Sequence, residues 1–391
     1  MDASKALIEI INNCISKSPQ KRINFAEYMD IALYNPQYGY YSTKAVNIGK
    51  QGDFFTSVHL GSDFGELLAE QLLQIWEILQ KPKTFSIVEM GAGQGYLAVD
   101  ILKYIQQKHS GFYAALKYII VEKSPVLKQE QQKHLQDFSV TWCDLEEIPN
   151  NSITGCFFSN ELVDALPVNQ FIIKEGKIQE VYITNNELTS KDNSGFIEIS
   201  AEPSTPQLAE YFQLIEIDLN QYPENYRSEI NLTAFKWLSV VADKLQHGYV
   251  LTIDYGYPAT RYYNPRRNEG TLQCYYQHHR HNNPYINIGQ QDITTHVNFT
   301  ALERWGETCG LDKIGFTQQG LFLMALGLGD RIAGISYQNL PLPQLLKRRD
   351  ALQQLIDPLG LGNFGVLVQS KGLSPVEKTQ TLKGFTVPEG M

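Results

Sequence analysis

Glu89, Gly91, Gly93 and Gly95 stand at alternate positions where a short apolar run, Phe85–Met90, gives way to a helix-like pattern. This is the shape of a strand turning tightly into a helix. Glycine has no Cβ, so such a turn lets a cofactor reach the backbone. A dinucleotide site asks for Gly-x-Gly-x-x-Gly, and the third place of that template falls on Tyr96. The alternative is a glycine-rich turn with no ligand. Glu122 closes the next apolar run, 31 positions after Gly91. A carboxylate there can accept both hydrogen bonds of a ribose diol; the plainer reading is an acid at a solvated helix start. Glu89 either orders the glycine turn or meets an ammonium group of the cofactor.

The order Glu-x-Gly-x-Gly-x-Gly resembles motif I of the class I S-adenosylmethionine methyltransferases, in which the glycines face the methionine moiety. In that class an acid at the position of Asp144, after the third strand, accepts the adenine amino group; a loop or helix-cap aspartate is the alternative. Asn160, Glu161 and Asp164 follow the fourth apolar run, where amino-methylating members of the class place substrate-orienting groups. Methyl transfer is an in-line displacement from a good leaving group, so alignment carries much of the rate. A nitrogen nucleophile must also lose a proton. Guanidinium is the hard case, because it stays protonated at any ordinary pH. A pair of carboxylates can hold its fork, keep the charge on the nitrogens not attacked, and take the departing proton. Glu161 and Asp164, three apart, can share the face of a helical turn; as an alternative they are acids at a helix N-terminus. His278, His279 and His281 lie in a loop without matching cysteine or carboxylate spacing, so no metal is expected. A single histidine here, His278, can instead contact substrate.

The bulk numbers set bounds. The chain has 391 residues, 43% apolar and 19% charged, as in an ordinary globular protein. That length suits one large α/β domain with an insertion or appendage. A net charge of −9 speaks against a nucleic-acid binder and is compatible with basic protein partners. Cys14, Cys143, Cys156, Cys274 and Cys309 are scattered, with no C-x-x-C pair, and read as free thiols in a reducing compartment. No apolar run is long enough to span a membrane. Residues 1–15 form neither a signal peptide nor an Arg-rich transit peptide. A cytoplasmic location is the expectation, or the mitochondrial matrix if the source is eukaryotic.

The elements that must position these residues come next. Residues 1–34 read as helices, and a strong amphipathic helix covers Asp63 to Gln80. Strands are expected at Phe85–Met90, Lys117–Val121, Phe138–Trp142 and Gly155–Ser159, with helices at Leu97–Gln107 and Val126–Leu135 between them. Repeated strand–helix units predict a doubly wound, mainly parallel sheet whose ligand sits beyond the carboxyl ends of the strands. Phe171–Asn185 reads as a hairpin around Glu175 and Gly176. The sheet pattern resumes with a helix at Leu232–Leu245 and a strand at Tyr249–Ile253. A helix at Ala301–Cys309 and strands near Lys313–Phe316, Phe322–Leu326 and Phe364–Gln369 finish it. This predicts a helical extension over residues 1–81 that covers the cofactor site, a methyltransferase-type domain over 82–170 and 228–371, an insertion over 171–227 that caps the site, and a loose tail over 372–391.

Several separated motifs resemble the MidA-like family of class I S-adenosylmethionine methyltransferases. They are Asn24 to Asp30, Leu33 to Pro36, Tyr38 to Tyr41, Gly52 to Ser57, Phe64-Gly65, Asn160 to Val168, Asp254 to Gly256, Gly270 to His278, and Asp292 to Phe299. The family includes the mitochondrial methyltransferase that acts as a complex I assembly factor. The resemblance implies S-adenosyl-L-methionine as cofactor, held by Gly91, Gly93, Gly95, Glu122 and Asp144 with Gly52, Asp53 and Thr56 nearby. It places Glu161 and Asp164 toward the substrate. It further implies protein arginine as that substrate and a link to assembly of a respiratory or NADH-dehydrogenase-like complex. Many members carry arginine where Gln273 stands and aspartate where Asn298 stands, and these departures bear on substrate detail. The rival readings are a small-molecule methyltransferase, a cofactor-binding assembly factor without turnover, and an NAD-dependent oxidoreductase.

Overall fold

The computed structural model describes residues 3–43, 57–185, 195–277, 279–337 and 341–386. The chain forms two compact units, each assembled from three separated segments. One comprises 55–162, 238–255 and 306–391; the other comprises 1–54, 163–237 and 256–305. The segment 171–227 therefore shares its unit with the N-terminal helices and with 256–305.

The first unit holds a seven-stranded sheet. Its strands are β1 (Phe85–Met90), β2 (Leu116–Val121), β3 (Val140–Cys143), β4 (Ile153–Asn160), β5 (Leu245–Asp254), β6 (Asp312–Gln318) and β7 (Gly365–Lys371). Their spatial order is β6-β7-β5-β4-β1-β2-β3. Strands β3, β2, β1, β4 and β5 pair in parallel, and β7 runs antiparallel to both of its neighbours. The reversed strand separates this sheet from the wholly parallel dinucleotide-binding order. All six residues of β1 are buried, which suits a central parallel strand covered on both faces. The strand order turns back between β1 and β4, so the carboxyl ends of those two strands open the crevice where such folds bind ligands.

Two expectations for this unit need correction. Phe322–Leu326 is not a strand; it lies at the end of the helix Gln319–Ala325, which buries Gln319, Gly320, Phe322 and Leu323. A short apolar run does not distinguish a buried strand from a buried helical turn. The described part of the tail, 372–386, is not loose. A capped helix, Pro375–Lys378, leads to a buried Leu382, the Gly384 N–H donates to Gln71, and Phe385 meets Phe322 edge-on.

The second unit carries an antiparallel sheet. The expected hairpin is present as Asn169–Lys174 and Lys177–Asn185, flanked by Arg227–Ile230, Ile23–Asn24 and Phe196–Ala201. The helix Phe25–Tyr34 begins with a reciprocal cap: the Glu27 N–H donates to the Asn24 side chain and the Asn24 N–H donates to Glu27, both at 2.9 Å. Leu7, Ile11 and Ile15 of the preceding helix share a core with Phe25, Met29, Val168 and Ile183. A three-stranded sheet follows, with Gln273–Tyr276 between His279–His281 and Asp292–Thr294. Among the described residues, no helix is long and apolar enough to cross a membrane.

Candidate active site

The glycine turn lies where β1 leaves the sheet. Gly91, Gly93 and Gly95 all adopt left-handed backbone, with φ of +69°, +53° and +85°. The Gly91 N–H donates to the Val121 carbonyl at the end of β2, and the Gly95 N–H closes the turn on Ala92. Gly95 is the N-cap of the helix Tyr96–Lys108. A Cβ on Gly95 would press on Gln131 at 3.2 Å, whereas a Cβ on Gly93 would meet nothing within 4 Å. The backbone at Gly93 therefore faces open space, as an approaching ligand requires.

Glu122 is fixed at the end of β2. The Ser124 N–H donates to one carboxylate oxygen at 2.8 Å and the Gln131 amide donates to the other at 3.0 Å. Burial raises its pKa above the ordinary glutamate value, and these donors oppose the rise. Gln131 is wholly buried and joins three elements. Its nitrogen also donates to the Gly93 carbonyl at 2.7 Å, and its oxygen accepts from the Trp142 indole at 3.0 Å. The indole can only donate, so it fixes the amide oxygen toward β3 and turns the NH2 toward Gly93 and Glu122. Neither Gln131 nor the polar end of Trp142 was marked by the sequence. A half-buried indole still needs an acceptor, and that was the available signal.

Glu89 accepts from the Tyr118 hydroxyl at 2.7 Å. Burial pushes its pKa up to about 7, against the pull of that hydrogen bond. Asp144 is exposed and opens the turn Leu145–Glu147, where its N–H donates to Glu147. At the end of β4, the Asn160 amide donates to Glu161 at 3.2 Å while the buried Asn160 Oδ1 has no partner. Glu161 itself has φ +53°, a left-handed backbone that non-glycine residues rarely adopt, and its N–H donates to Ile253 of β5. Strain of this kind collects at functional positions. Asp254, wholly buried at the end of β5, accepts from the Tyr255 N–H.

Asp164 belongs to the second unit, one residue after that unit's segment begins at Val163. It is buried, and its carbonyl accepts from the Thr295 N–H at 2.9 Å. Tyr34 donates to the neighbouring Ala165 carbonyl and stacks on Tyr41, whose hydroxyl donates to Asp292. Burial raises the Tyr41 pKa first, and the negative charges of Asp292 and Asp164 raise it further. Tyr275 donates to Gln273 and feels the same two carboxylates. Tyrosines and a second buried carboxylate thus surround Asp164; Tyr34, Tyr41, Tyr275 and Asp292 lie in motifs that carry the resemblance but were given no role from the sequence. Asn298 caps the Ala301 N–H and donates to Tyr211, a bond that an ionised aspartate cannot make. Gly52, Asp53, Thr56 and His278 lie outside the described residues.

An S-adenosyl cofactor fits the residues of the first unit. The open backbone at Gly93, the carboxylate of Glu122 with lone pairs beyond those taken internally, and the buried Glu89 suit its amino-acid, ribose and cationic parts.

Comparison with known proteins agrees. Residues 67–317 match the family model described as "Putative S-adenosyl-L-methionine-dependent methyltransferase". The mitochondrial protein arginine methyltransferase NDUFAF7 homolog of Drosophila melanogaster is 29% identical over 87% of this chain and 79% of its own. The human protein arginine methyltransferase NDUFAF7 is 26% identical over 79% and 71%. A crystal structure of a methyltransferase-family protein from Burkholderia thailandensis bound to S-adenosyl-homocysteine superposes with a TM-score of 0.83 at 28% identity, over 98% of this chain and 95% of that one. The glycine turn, the reversed strand and these likenesses converge: the chain belongs to the MidA-like family of S-adenosyl-L-methionine-dependent methyltransferases.

Proposed function

We propose that the chain is a protein arginine N-methyltransferase whose target is a subunit of a respiratory or NADH-dehydrogenase-like complex during assembly. The observation that carries the reading is Glu161, held in left-handed backbone at the end of β4 with an amide on its carboxylate. Relatives named as protein arginine methyltransferases support it. The cofactor, when bound, supplies an activated methyl group. Glu161 accepts from the guanidinium and keeps its charge on the nitrogens not attacked, then takes the departing proton. Gly93, Glu122 and Glu89 hold the cofactor, with Asp144 as the acceptor for its adenine amino group. The five free cysteines suit work in the cytoplasm.

The test compares tryptic peptides from wild-type and deletion cells by mass spectrometry. Arginine methylation should disappear from a small set of peptides, and return with the wild-type gene but not with Glu161→Gln. If every arginine mark survives deletion, the reading fails.

A further inference from the structure

Five of the ten arginines of this acidic chain have a carboxylate partner, Arg349 with Asp350 among them. Arg227 pairs with Glu198, Arg304 with Glu216, Arg331 with Asp63 and Glu66, and Arg348 with Asp63. Arg22, which stacks on Tyr182, and Arg261, Arg266, Arg267 and Arg280 form no ion pair among the described residues, although the sequence holds 42 acidic residues against 33 lysines and arginines. Unpaired guanidinium groups in such a chain call for an explanation.

Arg261 and Arg267 gather at one place in the second unit, and Arg280 lies on a nearby strand whose charge is felt there. Tyr257 stacks on His296, ring centroids 4.9 Å apart and 17° from parallel. The Arg261 guanidinium lies 4.2 Å from the Tyr257 ring centre and that of Arg267 lies 4.9 Å away. Arg267 also donates to the Arg261 and Tyr262 carbonyls, which ties the loop 261–267 to itself. Arg280 stands opposite Tyr275 in the antiparallel pair Gln273–Tyr276 and His279–His281. Burial, followed by the charge of Arg267 and then those of Arg280 and Arg261, pushes the His296 pKa down to about 4. The imidazole is therefore neutral at ordinary pH, and all the charge of the cluster is guanidinium. A guanidinium stacked on an aromatic ring still presents its edge to acceptors, and Arg267 gives one nitrogen of that edge to the two loop carbonyls.

The cluster adjoins Asp164. His296 directly follows Thr295, whose N–H binds the Asp164 carbonyl, and Tyr275 feels both Arg280 and Asp164. We propose that Arg261 and Arg267, stacked on Tyr257 beside His296, together with Arg280 opposite Tyr275, dock an acidic segment of the protein substrate, with carboxylates flanking the arginine presented to Asp164. The proposal rests on the protein-arginine reading. Three guanidiniums in a chain of net charge −9 match a short run of carboxylates, not the long phosphate track of a nucleic acid.

The test uses the full chain with saturating S-adenosylhomocysteine and a fluorescent peptide with one central arginine between glutamates. The glutamate peptide should bind at least about ten-fold more tightly than its glutamine counterpart, and the advantage should shrink with salt. Joint replacement of Arg261, Arg267 and Arg280 by glutamine should abolish the advantage while S-adenosylhomocysteine binding stays unchanged. Joint replacement by lysine, which controls for loop collapse, should keep most of it. Equal binding of the two peptides overturns the proposal, as does an advantage that survives the glutamine variant. Tighter binding of a single-stranded RNA, lost in the same variant, also overturns it. Methyl transfer to these peptides reports separately: transfer without an acidic advantage removes the docking site alone. An acidic advantage with no transfer to any arginine removes the enzymatic reading and leaves the surface.

Discussion

The Tyr118 hydroxyl donates to Glu89 across 2.7 Å between adjacent strands, both residues being buried. Glu89 is pushed up to about 7 from 4.5, so in the folded protein it keeps its proton where the unfolded chain has lost it. Stability from this group is therefore present at low pH and declines as pH rises from about 4.5 to about 7. The difference is worth about 3 kcal/mol. Denaturation of the cofactor-free protein should show Glu89→Gln gaining on the wild type between pH 5 and pH 8. Parallel pH profiles for the two proteins would rule this out.

Gly93→Ala and Gly91→Ala separate fold from cofactor site. Gly93 has open space beside it, so an added methyl costs only the left-handed backbone, about 1 kcal/mol. Its affinity for S-adenosylhomocysteine by calorimetry should nonetheless fall by about ten-fold or more, or about 1.4 kcal/mol. Gly91→Ala must also displace Leu162, 2.7 Å from the added carbon, and should lose more stability. Unchanged affinity in Gly93→Ala would mean that no ligand approaches there.

Gln131→Ala strands the Trp142 indole, the Gly93 carbonyl and one oxygen of Glu122. Unsatisfied buried groups of this kind cost about 1–3 kcal/mol. The variant should raise the KM for the cofactor more than it lowers kcat, because Gln131 acts through Glu122. Trp142→Phe should reproduce part of the effect, and the double variant should be less than additive. Strict additivity would show that the two residues do not act as one network.

Glu161→Gly offers the backbone the residue that tolerates φ +53°. Folding stability should stay within about 1 kcal/mol of the wild type, because relief of strain offsets the added freedom of the unfolded chain. Methyl transfer should drop by roughly 100-fold or more with the loss of the carboxylate. Retained turnover would remove Glu161 from the chemistry.

The strands at the heart of the first unit were legible because buried parallel strands are short apolar runs with turn signals at both ends. Phe85–Met90 matched to the residue. Phe322–Leu326 was not legible, since five apolar-rich residues fit a strand or one and a half helical turns equally well. The glycine turn and Glu122 declared themselves by spacing, whereas Gln131 did not. A glutamine in a polar helix looks solvent-facing until tertiary structure supplies Gly93, Glu122 and Trp142. Leu382 and Phe385 looked like tail because a few isolated apolar residues carry no period, yet they close over Phe322 and Gln71.

The reversed strand β7 is the last strand of its sheet to be synthesised. It is inserted between β5 and β6, which have no pairing with each other in the sheet. Until residue 371 has left the ribosome, β5 presents an unpaired hydrogen-bonding edge and β6 has no strand to join. A nascent chain stalled before that point exposes a template for foreign strands. A chain terminated before that stretch therefore carries an open sheet edge, the feature through which strands of other molecules pair.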